Sequence, residues 1–309
     1  MPMTRNSTTP AGAAEVSHRL SRAPAALRIS AFAVSAVLLS ACGADSSENG
    51  STQSGGVGLR LPDETSHIHG VGADPDTGEV FVATHAGLFR IHAPENATGG
   101  DAVPEMVGPA IDLMGFSIAG SGRFVASGHP GPGTDLPDPV GLIESRDGGQ
   151  RWEPLSLQGE SDFHALATGE ERVIGFDGRL RATEDGSTWE DLDSAIEPFS
   201  LAVSDDGETV LAAARQGLRR STDGGSSFTA VPEAPALVLI DWVAGMDSVY
   251  GISVDGQVHR SEDGGATWAP TGTVEGEPEA LHADADQLIV VADHRVSRST
   301  DEGATFEAW

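Results

Sequence analysis

From residue 67 onward the sequence is built of short apolar runs in pairs, each pair followed by a polar, glycine-bearing stretch. SLAVS (200–204) and TVLAAA (209–214) form one pair, and VLIDWVAG (238–245) and SVYGIS (248–253) form another. Runs of this length, rich in valine and isoleucine and parted by turn sequences such as DDGE and GMDS, have the signature of β-strands.

The same box follows these pairs. SRDGGQRW (145–152), STDGGSSF (221–228), SEDGGATW (261–268) and STDEGATF (299–306) all read Ser-x-Asp-x-Gly-x-x-aromatic, and TEDGSTW (183–189) is a copy one residue shorter. The box aspartates are Asp147, Asp185, Asp223, Asp263 and Asp301, so the steps are 38, 38, 40 and 38 residues. An all-β repeat of about forty residues is one four-stranded propeller blade. The 243 residues from 67 to 309 hold six such units, the first of which, HIHGVGADPDTGEVFVATHAGLFRI (67–91), has the strands without the box. The expected fold is all-β, a six-bladed β-propeller over residues 57–309. Only three residues follow the last box, so VGLRL (57–61) is the expected strand that joins the two ends of the chain.

These boxes resemble the Asp-box (BNR) repeat of sialidases, sortilin-type receptors and photosystem II assembly factors, and the resemblance spans about residues 67–309. It implies that each box is the hairpin turn between the third and fourth strands of a blade. The box aspartates are then structural. A carboxylate can accept backbone N–H groups across the turn, the glycine supplies a positive φ, and the aromatic ring packs between blades. Such a box reports a fold and leaves function to be argued from a site.

The amino-terminal segment has a different character. Residues 1–28 carry four arginines and one acid, Glu15, and ISAFAVSAVLLSA (29–41) follows without a charge. Thirteen uncharged, mostly apolar residues suit a secretory signal and fall short of the ~20 that a spanning helix needs. The run ends in Leu39-Ser40-Ala41-Cys42, which resembles a bacterial lipobox. That resemblance implies a lipoprotein signal peptide at 1–41, cleavage before Cys42 and a diacylglyceryl group on its sulfur. Residues 42–56 are then the lipidated cysteine and a flexible linker rich in small polar residues. Two or more acyl chains give stable anchoring, so the expected location is the cell membrane, lipid-anchored on its extracytoplasmic face.

Charge narrows the partners. The chain has 47 acidic against 18 basic residues, a net charge of −29, and every basic residue is arginine. Such a surface excludes nucleic acid, whose binders carry a basic stripe, and it suits cationic partners or metal ions. Counting back from the box aspartates aligns His69, Met114, His164, Ser200, Asp241 and Glu279 as a ring of inner-strand residues around the propeller axis. His67, His85 and His129 lie near strand ends or loops of the same first three blades. Imidazoles with a thioether and carboxylates suit copper or zinc, with Asp162 as a carboxylate to orient a histidine. His92, His259, His282 and His294 are expected on outer strands or turns. The insertion 129–140, with four prolines, is expected as a rigid loop on the histidine side.

The combination HIHG, ATHAGLF, SGHP and ESDFHAL resembles a group of secreted bacterial lipoproteins often described as glycosyl hydrolases. A sialidase needs an arginine triad and a tyrosine–glutamate pair; here Tyr250 is the only tyrosine. Other glycosidases need two carboxylates ~5–9.5 Å apart, and Asp241 and Glu279 are the candidates. The sequence thus points to a membrane-anchored propeller that binds a ligand or protein partner over a histidine-rich channel face. The alternatives are a glycoside hydrolase acting on envelope or extracellular glycans and a scaffold for envelope protein assembly.

Overall fold

Twenty-four strands of two to nine residues make up the described part of the chain, which covers residues 59–62, 67–92, 103–193 and 195–309 of a computed structural model. Among these residues there is no helix. The signal peptide, Cys42 and linker expected over 1–56 lie outside the described residues.

The strands form six antiparallel four-stranded sheets, each made of strands consecutive in the chain. In the first blade they are Ile68–Ala73, Val80–Thr84, Gly87–Ile91 and Glu105–Val107, from the axis outward. The first strand of each blade packs against that of the next, and the sixth returns to the first, which makes the array a closed six-bladed β-propeller. The second strands Val80–Thr84, Val210–Ala214, Val249–Ser253 and Leu288–Ala292 are buried at every position. Neighbouring blades cover both of their faces, so they read as continuous apolar runs, whereas a sheet with one solvated face alternates.

The core is correspondingly divided into layers between adjacent blades. Leu211 and Ala213 of the fourth blade, for example, pack with Ile240 and Val249 of the fifth, and Trp268 of the fifth blade's box closes that layer. Trp152, Trp189, Phe228 and Phe306 take the same place in four other layers. The box turns lie between third and fourth strands, as in Gly217–Ser221 and Thr229–Ala230. Within that turn Ser221 Oγ accepts from Gly225 N (2.9 Å) and donates to Asp223 Oδ1 (2.7 Å), while Asp223 Oδ1 accepts from Ser227 N (2.9 Å). The same bonds recur around Asp147, Asp263 and Asp301. In the shorter box, Asp185 accepts instead from the nearer Ser187 and Thr188 amides.

The sixth layer joins the two ends of the chain. Arg60 bridges Arg295, Val296 N donates to Leu59 O (3.1 Å), and Leu61 N donates to His294 O (2.9 Å). Residues 59–61 thus extend the outer edge of the last blade beside Glu307–Ala308. Trp309 completes the layer, with its Nε1 donating to His92 O (3.1 Å) and the Arg298 guanidinium over its ring.

Because strands alternate in direction, every first strand starts on the face that carries the turns from second to third strand. The turns from first to second strand and the boxes lie on the opposite face.

Candidate functional site

The first strands line an axial cavity of about 510 Å3 that runs from their first residues to their last. A β-bulge falls near the start of these strands, at His69, Met114, Phe199, Val238 and Glu279, and in the third blade His164 stands at the same height, just ahead of Ala165. The ring at the channel mouth is therefore His69, Met114, His164, Phe199, Val238 and Glu279. Ser200 and Asp241 sit one and three residues further along their strands. Met114 takes the bulge position without lining the cavity, whereas His69, His164, Phe199 and Glu279 all line it.

Five histidines of the first three blades, His67, His69, His85, His129 and His164, share this mouth. His67 precedes the first strand, His85 lies in the turn after Val80–Thr84, and His129 ends the strand Arg123–His129. His69 stacks on His85 with ring centroids 4.7 Å apart and planes 10° apart, and His67 lies 4.9 Å from His85 and 6.4 Å from His69. A chain of carboxylates links the remaining rings. Asp162 Oδ2 is 2.9 Å from His164 Nε2 and 3.2 Å from His129 Nε2, and Asp138 Oδ1 is 2.7 Å from His129 Nδ1. Asp112 Oδ1 stands 4.0 Å from His85 Nε2. The proline-bearing insertion brings Asp138 to this face, so the loop expected over 129–140 does border the histidines.

Environment separates the imidazoles. Burial, reinforced by His85, His67 and His164, lowers the pKa of His69 to about 4, which keeps that ring neutral near pH 7. The hydrogen bond from Asp138, aided by Asp162 and Asp112, raises that of His129 despite its partial burial. Among the described residues no three His, Cys, Asp or Glu side chains are arranged to hold a metal ion. The stack explains part of this: parallel rings present their nitrogens side by side, whereas a tetrahedral ion needs them aimed at one point.

His282 corrects the expectation of an outer position. It belongs to the first strand of the last blade, Pro278–Ala283, and lines the cavity towards the box face. Its Nδ1 lies 3.3 Å from Asp241 Oδ2 and its Nε2 3.6 Å from Asp284 Oδ2. Burial alone would lower its pKa, but the two carboxylates carry it up to about 9, so the ring is a cation at neutral pH. His294 occupies a turn on the mouth side, where its N–H donates to Glu279 Oε2 (2.7 Å). His259 is buried on a third strand, Gln257–Ser261, and His92 follows Gly87–Ile91 on the box side.

The two carboxylates considered for glycoside hydrolysis line one cavity at different depths. Val238 is the fifth-blade residue level with Glu279, and Asp241 lies three residues beyond it, about 10 Å along the strand. Asp241 also accepts from Ala283 N (2.7 Å). Each acid thus has its own partners, and the register separates the pair by about 10 Å along the strand direction alone, beyond the ~9.5 Å that such chemistry spans.

Phe199 was not singled out in the sequence, because its strand was aligned on Ser200. It is 50% exposed at the mouth, an aromatic ring left open to solvent on the same face as the histidines. Asp112 and Asp138 are equally silent in the sequence, since Asp112 meets His85 only across two blades and Asp138 meets His129 only through the fold of the insertion.

No family model matches the chain, and no curated protein is similar to it in sequence. Solved structures share its architecture. A chain of the nidogen/laminin complex superposes with a TM-score of 0.56 at 11% identity, covering 72% of this chain and 89% of that one. A structure of YCF48 bound to D1 peptide gives a TM-score of 0.44 at 19% identity over 65% of this chain and 69% of that one. PorZ, an essential bacterial surface component of the type-IX secretion system of Porphyromonas gingivalis, gives 0.49 at 12% identity over 78% of this chain and 32% of that one. The nidogen/laminin likeness is one of fold. The strand geometry makes this chain a six-bladed β-propeller, a fold suited to binding ligands or proteins, with five of its histidines gathered at one mouth of the channel.

Proposed function

We propose that the protein is a lipid-anchored, extracytoplasmic binding propeller that takes a ligand or protein partner at its histidine-bearing mouth. Cys42 carries the lipid, residues 43–56 are the tether, and the disc presents the mouth to the surroundings. The observation that supports this most is the convergence of His67, His69, His85, His129 and His164, from three blades, around a cavity of about 510 Å3. A cavity of that size is within the range of small-molecule sites, and an open aromatic ring at its edge, Phe199, is the kind of group that anchors a partner.

Two experiments test the two halves of the reading. Mass spectrometry of the mature amino terminus should find a diacylglyceryl group on Cys42 of the membrane-bound protein and none after Cys42→Ser; a membrane-bound wild-type protein with an unmodified Cys42 would refute anchoring through that sulfur. For the mouth, a photo-crosslinking residue is placed at position 164 on one face or at position 262 on the box face, in cells. Adducts confined to position 164 are expected. Adducts at 262 alone, or none at either position, would refute the binding face.

A further inference from the structure

The channel walls have a marked charge bias. Among the described residues five carboxylates line the cavity, Glu170, Asp205, Asp241, Glu279 and Asp284, and no arginine does. The only lining side chains able to carry positive charge are His69, His164 and His282. His282 is a cation already held between Asp241 and Asp284, and His69 stays neutral. Behind the mouth, Asp112 Oδ1 and Asp162 Oδ1 are buried and accept no hydrogen bond from the described residues. Low-dielectric walls carrying one sign of charge focus the field along the cavity. An anion entering this channel meets like charge at the mouth, at Glu279, and again towards the box face, where the acids outnumber the His282 cation.

Shape adds a second condition. The cavity is lined by the first strands of all six blades along their length, so it is deep and narrow. Its acids stand at successive depths, with Glu279 at the mouth and Asp241 about 10 Å further in. At the entrance the open ring of Phe199 gives an aliphatic stem an apolar wall and offers its face to a cation. Resting on the binding reading above, we propose that the ligand is a slender organic cation, an alkyl chain ended by an ammonium or guanidinium group. Such a group comes either as a free polyamine or as the basic side chain of a peptide.

Calorimetric titration of the full chain in neutral detergent at pH 7.5 tests this. The probes are spermidine, N-acetylarginine amide, its neutral isostere N-acetylcitrulline amide, and adipate. One cationic probe should bind saturably at one site per chain, and whether it is the polyamine or the arginine identifies the source. Citrulline and adipate should bind at least about ten-fold more weakly, the effect of losing one charge-assisted contact. Glu279→Gln and Phe199→Ala should each weaken the cation, Glu279→Gln by about ten-fold, and Glu153→Gln on the exposed outer edge should not. Phe199 is exposed, so its replacement leaves folding intact and keeps the test informative if Glu279→Gln misfolds. Equal binding of citrulline, or multi-site binding indifferent to both mouth variants, would overturn the proposal by assigning the cations to the acidic surface. Loss of cation binding alone, with adducts at position 164 retained, overturns this ligand class and leaves the binding face standing; loss of both removes the binding face as well.

Discussion

His282 and His69 are imidazoles of the same channel pushed in opposite directions, and their effects on stability have opposite pH dependence. His282 has a folded pKa of about 9, above the ordinary imidazole value of 6.5. Its pairing with Asp241 and Asp284 therefore stabilises fully below pH 6.5 and is lost as the pH rises through 9. His69, at about 4, lies below that ordinary value. Between pH 6.5 and 4 the unfolded chain takes up a proton that the folded chain refuses, so stability falls across that window. Chemical denaturation between pH 4 and 10 should show both slopes. His69→Gln should flatten the acidic one, worth ~1–2 kcal/mol after solvent screening; an unchanged slope would contradict the neutral stack. Asp241→Asn should pull the His282 titration, followed by NMR, back towards 6.5 and cost about 2 kcal/mol, the loss of a hydrogen bond to a charged group.

The box turn shows why a short sequence pattern can specify an element. Its serine Oγ, carboxylate and glycine satisfy one another within four residues, as in Ser221, Asp223 and Gly225. Ser221 is buried, so Ser221→Ala leaves the Gly225 amide without its acceptor and should destabilise by about 1–3 kcal/mol. Gly265 has φ +79°, and a Cβ there would stand 2.5 Å from Leu211 of the neighbouring blade. Gly265→Ala should accordingly cost about 1–3 kcal/mol in thermal or denaturant melts. A box of this kind is legible because all its bonds are local, and its even spacing reveals the blade. The register of the inner strands is less legible for a definite reason. Blades three and six turn between first and second strands in four residues, 169–172 and 284–287, and blades four and five use six, 204–209 and 243–248. A fixed count back from the box passes over this difference, which is how Ser200 and Asp241 stood in for Phe199 and Val238. His282 is hard to read for a related reason: it shares its first strand with Glu279, and its partner Asp241 lies 41 residues away on another blade.

At the scale of the whole molecule, closure brings distant residues together. The sixth layer is built from Leu59, Leu61 and Trp309 as well as from the first and last blades. Trp309→Ala removes a partly buried ring, its bond to His92 O and its contact with Arg298, and should cost about 2–4 kcal/mol. Deletion of 59–62 should lower the melting temperature further, and an unchanged value would show that the disc closes without that segment. The histidine mouth depends on the same closure, since its rings come from three blades and its acids from loops between them. Five of the ten histidines gather there, and that face carries the binding account. The most direct measurement is histidine-selective footprinting by mass spectrometry on intact cells and on the purified protein. The account predicts that His164 and His129 lose reactivity on cells while His92, on the box side, does not. Equal reactivity of His164 in both settings, or protection of His92 in its place, would contradict it.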